Sequence, residues 1–222
     1  MLLSRVVSAV VLAPIAIAAV YFGGWAFLLF WATAAAVVLW EWARMVGGAA
    51  RPGWVALGLL YAALLVIAPV ILRGDANYGI AVIFSLFAIV WTTDIAGYFA
   101  GRGIGGPKLA PSISPNKTWS GAIAGLIGTA IVAALGARYL PDTRFVPLLA
   151  VALVLSIVSQ AGDLGESILK RRFNVKDASE IIPGHGGVMD RLDGFWAAAL
   201  CAAIIGLARG GFSEPARGLL VW

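Results

Sequence analysis

The sequence predicts an all-α, polytopic integral membrane protein with about seven transmembrane helices. Three observations carry this. Of the 222 residues, 61% are hydrophobic and only 12% are charged, about half the charged share of a soluble domain. The mean hydropathy is +0.94. Apolar runs of 18 or more residues recur along the chain, each long enough to cross a hydrocarbon layer of about 30 Å as a helix. Lipid offers backbone N–H and C=O groups no partner, so such runs must satisfy them internally and fold as helices.

The spans are expected at about 6–22, 24–43, 54–72, 78–99, 119–137, 146–162 and 194–212, with boundaries good to about four residues. Trp25, Trp40, Trp42, Trp54, Trp119 and Trp196 fall near proposed ends, where amphipathic rings prefer to sit. Gly23-Gly24, Gly47-Gly48, Pro52-Gly53, Gly74 and Pro141 punctuate the joins. The first span has features of a secretory signal, with Arg5 before an apolar stretch and Ala16-Ile17-Ala18 after it; it is expected to be retained as a span. The helices of residues 1–90 and the charge-bearing region 91–222 are expected to form one continuous membrane domain.

With the N-terminus inside, eleven of the sixteen Lys and Arg residues fall on the inner side and five on the outer. That asymmetry predicts a cytoplasmic N-terminus and places both long polar loops in the cytoplasm. The formal net charge of +5 then reports orientation and contact with anionic membrane lipids rather than nucleic acid. The single cysteine, Cys201, lies in an apolar run and excludes an intrachain disulfide.

Two segments carry the chemistry. Residues 94–121 hold six glycines and three prolines, too many for one helix. Asp94 sits near a span end, where an ionisable group needs a partner or a task. Arg102, Lys108 and Lys117 add cations, and Ser114 and Thr118 add hydroxyls just before a helix. That is a cradle for phosphate at a positive helix end, or a loop with orientation charges and a Ser/Thr cap. In residues 162–194, Asp163 and Glu166 share a helical face that Ser167 and Lys170 extend. Arg171 and Arg172 follow, and Asp190 and Asp193 repeat the three-residue spacing. Asp163, Asp190 and Asp193, if they converge, make a hard oxygen site suited to Mg²⁺, and nearby cations would offset phosphate charge. His185 is the only histidine; a histidine zinc site is excluded, and the side chain reads as a metal ligand, a proton carrier or a loop anchor. Residue spacing alone thus points to a cytoplasmic-side site for a phosphate-bearing substrate and a divalent cation.

At these residues the chain resembles the phosphatidate cytidylyltransferases. The resemblance rests on Ser167, Lys170-Arg171, Lys176-Asp177, Ser179, Pro183, His185-Gly186-Gly187 and Asp190-Arg191-Leu192-Asp193. Upstream it includes Asp94, Tyr98-Phe99, Gly101-Arg102 and Ser114-Pro115-Asn116-Lys117-Thr118. Ser120 stands where many members carry Glu. The resemblance implies transfer of a cytidylyl group from CTP to phosphatidic acid, giving CDP-diacylglycerol and pyrophosphate in a bacterial inner membrane, and it suggests a homodimer. It implies Mg²⁺, with room for a second cation, on Asp163, Asp190 and Asp193. Lys170, Arg171 and Arg191 would neutralise phosphates. Asp94, Arg102, Ser114, Lys117, Thr118, Ser167, Lys176 and His185 would contact substrates. Rival readings are a CTP-dependent polyprenol-type lipid kinase and, in another class, an ion-coupled transporter; the Asp-Gly-x-x-Ala-Arg pattern of CDP-alcohol phosphotransferases is absent.

Overall fold

The computed structural model describes the backbone of residues 2–182 and 186–222, with side chains from residue 10 onward. Eight α-helices run in chain order among these residues: α1 Leu2–Phe22, α2 Gly24–Val46, α3 Pro52–Arg73, α4 Gly79–Gly103, α5 Trp119–Tyr139, α6 Phe145–Arg172, α7 Met189–Gly210 and the short α8 Pro215–Leu220. Helices α2 to α7 are each long and apolar enough to cross a membrane. The expected first span falls in α1, whose described side chains, 10–22, form a shorter apolar helix. The chain is an integral membrane protein of all-α class, with one small addition. A two-stranded antiparallel hairpin, β1 Lys108–Ala110 and β2 Ser114–Thr118, joins α4 to α5.

Several helices overrun the expected spans. Helix α6 continues ten residues past 162, and α7 begins five residues before 194. The extension of α6 is rich in Leu, Glu, Lys and Arg, which favour helix, and its Glu166–Lys170 pair is spaced i, i+4. Asp163, Asp190 and Asp193 therefore stand on rigid helix rather than in loops.

Small residues set the packing, since lipid gives helices little hydrophobic reason to associate. Gly121 of α5 lies against α4 so closely that a Cβ there would meet the Gly97 carbonyl oxygen at 2.7 Å. Gly125 and Gly128 face Thr93 and Thr92 of the same helix. The glycine face of α5 is thus used within the chain. Buried hydroxyls brace the join: Thr93 Oγ1 lies 3.0 Å from Thr129 Oγ1 and 2.8 Å from Ser156 Oγ. Aromatic stacks tie α7 to its neighbours, Phe195 on Trp31 of α2 at 4.8 Å and Trp196 on Tyr61 of α3 at 4.3 Å.

Contacts across the chain sort the loops into two ends. Near one end, Trp54 at the start of α3 meets Phe173 just after α6 at 5.0 Å, and the α4–α5 hairpin reaches α6. At the other, Tyr78 bonds Asp142 and Asp75 bonds Arg217. Both charge-rich segments lie at the same end of the bundle.

Candidate active site

The first wall of the site is the end of α4, the hairpin and the start of α5. Thr118 caps α5, its hydroxyl accepting from Gly121 N–H at 3.1 Å, as expected of threonine at a helix start. Ser120 Oγ donates to the Gly105 carbonyl at 2.5 Å, and Trp119 N–H donates to the Pro107 carbonyl at 3.1 Å. These bonds pin both sides of the hairpin. Its Lys117 is thereby set against α6, with Nζ 2.5 Å from Asp163 Oδ2.

The second wall is the α6–α7 pair. A Cβ at Gly162 would lie 2.9 Å from the Asp193 carbonyl oxygen, and one at Gly194 would lie 2.6 Å from Ser159 Oγ. Only glycines allow this approach, which brings the Asp163 and Asp193 positions together. Lys170 bridges the two helices, 2.5 Å from Asp190 Oδ1 and 3.4 Å from Glu166 Oε2. Asp190 Oδ2 accepts from Ala178 N–H at 3.0 Å and Gly187 N–H at 2.8 Å. Three of its roughly four acceptor positions are thus engaged. Asp193 accepts from its neighbour Gly194 N–H at 2.7 Å and faces Glu166. Asp94 lies within electrostatic reach of Asp193, Asp163, Lys117 and Arg191. Five carboxylates, those of Asp94, Asp163, Glu166, Asp190 and Asp193, thus gather around Lys117 and Lys170.

Several polar atoms in this region are buried without a regular hydrogen bond among the described residues: both Glu166 carboxylate oxygens, the Tyr61 hydroxyl and Ser159 Oγ. Glu166 keeps its longer ion pair with Lys170. Tyr61 lies within electrostatic reach of Glu166 and Asp193. Buried oxygens short of hydrogen-bond donors are costly, and in native proteins they mark a missing water, an ion or a catalytic task. Among the described residues no three acidic, histidine or cysteine side chains close into a finished metal cage. The donor set nonetheless fits Mg²⁺, which takes hard oxygen ligands and typically uses one or two carboxylates with substrate phosphate and water.

The remaining expected residues are placed as follows. Arg191 is exposed on the first turn of α7, toward Asp94. Arg171 is exposed and donates to the Val175 carbonyl at 3.1 Å. Arg102 is exposed and donates to the Tyr98 hydroxyl at 3.3 Å, one turn back on α4. Ser114 opens β2, paired with Ala110. Ser167 is half-buried on α6, and Lys176 is exposed in the connection to α7. His185 lies outside the described residues.

Residue spacing did not single out Tyr61, Ser159 or Glu41. Glu41 is fully buried on α2 and bonds the turn that leads into α7. It is the only acid among residues 1–74, and an ionisable residue inside an apolar span is by default a functional candidate. Tyr61 and Ser159 carry no such signal, because a lone hydroxyl in an apolar helix is common.

The profile of the cytidylyltransferase family matches residues 50–208. A phosphatidate cytidylyltransferase of Brucella suis biovar 1 (strain 1330) is 53% identical over 167 residues, covering 73% of this chain and 59% of that protein. The phosphatidate cytidylyltransferase of Bacillus subtilis (strain 168) is 39% identical over 145 residues, 64% of this chain and 54% of that protein. That of Haemophilus influenzae (strain ATCC 51907 / DSM 11121 / KW20 / Rd) is 39% identical over 129 residues, 56% and 45%. The chain thus spans about half the length of these relatives, from 45% to 59%. The matched region contains both walls of the acidic site, and the chain belongs to the cytidylyltransferase family.

Proposed function

We propose that this chain transfers the cytidylyl group of CTP to phosphatidic acid in the bacterial inner membrane, with the acidic site on the cytoplasmic side. The observation that carries the reading is the gathering of Asp94, Asp163, Glu166, Asp190 and Asp193 around Lys117 and Lys170 at one end of the bundle. Family membership and the names of the relatives support the chemistry.

In this reading a phosphate oxygen of the lipid attacks the α-phosphorus of CTP. A new P–O bond forms, the α–β bridge breaks, and pyrophosphate leaves. The attacking oxygen is already ionised, so no general base is needed. The work lies in bringing two anions together and stabilising the departing one. Mg²⁺, held by Asp163 and Asp193 with Asp190 as the third candidate, would neutralise phosphate charge. Lys170 keeps Asp190 and Glu166 in register and, with Arg171 and Arg191, meets phosphate. Lys117 and Ser114 contact the nucleotide, the Thr118 cap holds that strand at the start of α5, and Arg102, Ser167, Lys176 and His185 complete the substrate contacts. The working form is taken to be a homodimer.

The test is turnover of the purified chain in detergent with CTP labelled in the cytidine, phosphatidic acid and Mg²⁺. The expected products are labelled CDP-diacylglycerol and free pyrophosphate, abolished by EDTA. Transfer of the γ-phosphoryl alone would make the chain a lipid kinase. Substrate-independent ion flux in liposomes without turnover would make it a transporter. Turnover undiminished by EDTA would discard the metal.

A further inference from the structure

Glu41 sits near the end of α2 with no exposed surface. None of the ion pairs among the described residues includes it. A buried carboxylate without a counter-charge is strongly unfavourable unless hydrogen bonds replace its water. Here three donors do so. Oε1 accepts from Ser179 Oγ at 2.5 Å and from Val188 N–H at 2.9 Å, and Oε2 accepts from Met189 N–H at 2.7 Å. Met189 is the first residue of α7, so the carboxylate also meets the positive end of that helix.

The bonded turn leads directly into Asp190. Asp190 Oδ2 in turn accepts from Ala178 and Gly187 N–H. A Cβ at Gly187 would lie 2.7 Å from Glu41 Oε1 and 3.0 Å from Asp190 Oδ2. Two carboxylates therefore hold the backbone at Gly187 and Val188, one from α2 and one from α7.

We propose that Glu41 is a positioning residue for the cytidylyl transfer: its buried carboxylate on α2 locks the start of α7 and so sets Asp190 and Asp193 opposite Asp163. The assignment rests on the reaction proposed above. Glu41 lies outside residues 50–208, the span the family profile matches, so α2 becomes part of the active-site machinery.

The test is Glu41→Gln, which keeps the volume, removes the charge and turns one acceptor into a donor facing a donor. Misplacement on the ångström scale costs roughly 100-fold in rate. We expect kcat to fall by about that factor while KM for CTP stays within about twofold, the pattern of a lost transition-state interaction. Ser179→Ala, which removes one of the three donors, lowers kcat by about fivefold, the worth of an ordinary hydrogen bond. It decides the matter alone if Glu41→Gln does not accumulate as folded protein. A purely structural role predicts a lower unfolding temperature with unchanged kcat per folded molecule, and that result overturns the assignment. An inactive unaltered chain removes the proposed reaction and this assignment together; an active unaltered chain with a fully active Glu41→Gln removes this assignment alone.

Discussion

At the α3–α4 end of the bundle, Asp75 accepts from Asn77 N–H, Tyr78 N–H and Arg217 N–H at 2.9 to 3.0 Å. Beside it the Tyr78 hydroxyl donates to Asp142 at 3.0 Å, and Arg217 pairs with Glu214 at 2.7 Å. Each acid there has found its donor, and the result ties together the α3–α4 turn, the α5–α6 turn and α8. At the opposite end the account does not close. Glu166, Tyr61 and Ser159 keep buried oxygens without regular hydrogen bonds, and acids crowd one another around two lysines. Satisfied polar groups rigidify a fold, whereas partly satisfied ones are unstable unless something else arrives to complete them. The contrast separates an end whose polar groups are satisfied within the bundle from an end whose buried oxygens still lack donors, as the substrate site proposed above requires.

The largest expected effect tests the unsatisfied end. Asp193→Asn should lower kcat by about 100- to 1,000-fold, the range seen when a key electrostatic group is removed, while the protein still purifies from membranes. Normal turnover would show that the crowded acids are only structural. Next in size is Lys170→Met. Lys170 and Asp190 are almost enclosed, with side chains 12% and 6% exposed. Removing one partner of such a pair costs about 3 kcal/mol or more, so thermal unfolding should shift down clearly, with turnover falling too.

Asp75→Ala sharpens the comparison from the other side. It leaves three donors without their acceptor and should cost about 1–3 kcal/mol, measured as a lower unfolding temperature. The surviving folded protein should turn over at the normal rate. A loss of kcat there would mean that the two ends are coupled. The smallest stability effect is expected for Lys117→Met. Its pair with Asp163 is partly open, at 25% and 35% exposure, so stability should move by no more than about 1 kcal/mol. If Lys117 meets the nucleotide, KM for CTP should rise roughly tenfold, the value of one charged hydrogen bond.

Much of this was legible in residue order. The apolar runs located α2 to α7, and the three-residue spacing of Asp163 and Glu166 correctly put them on one face of α6. The Gly and Pro content of 94–121 correctly ruled out a single helix, although the hairpin itself left no periodic trace in strands of three and five residues. The expected span ended at 162 because hydropathy falls at Asp163, while helix propensity and the Glu166–Lys170 pair carry α6 on to Arg172. Glu41 left a signal as a lone acid in an apolar run. Its partners lie 138 to 148 residues away, beyond the reach of any local pattern.

Residue order by itself determined that this chain is a membrane-spanning bundle, because the cost of bare backbone in lipid leaves apolar runs no alternative to helix. It also determined, through the alternation of spans, that both charged segments share one end. Only the tertiary structure decided which side chains meet. Lys117 reaches Asp163, Lys170 bridges Asp190 and Glu166, and Glu41 seats the start of α7. Those pairings depend on how closely helix backbones approach, as at Gly162 and Gly194, and close approach belongs to two surfaces at once rather than to either stretch of chain.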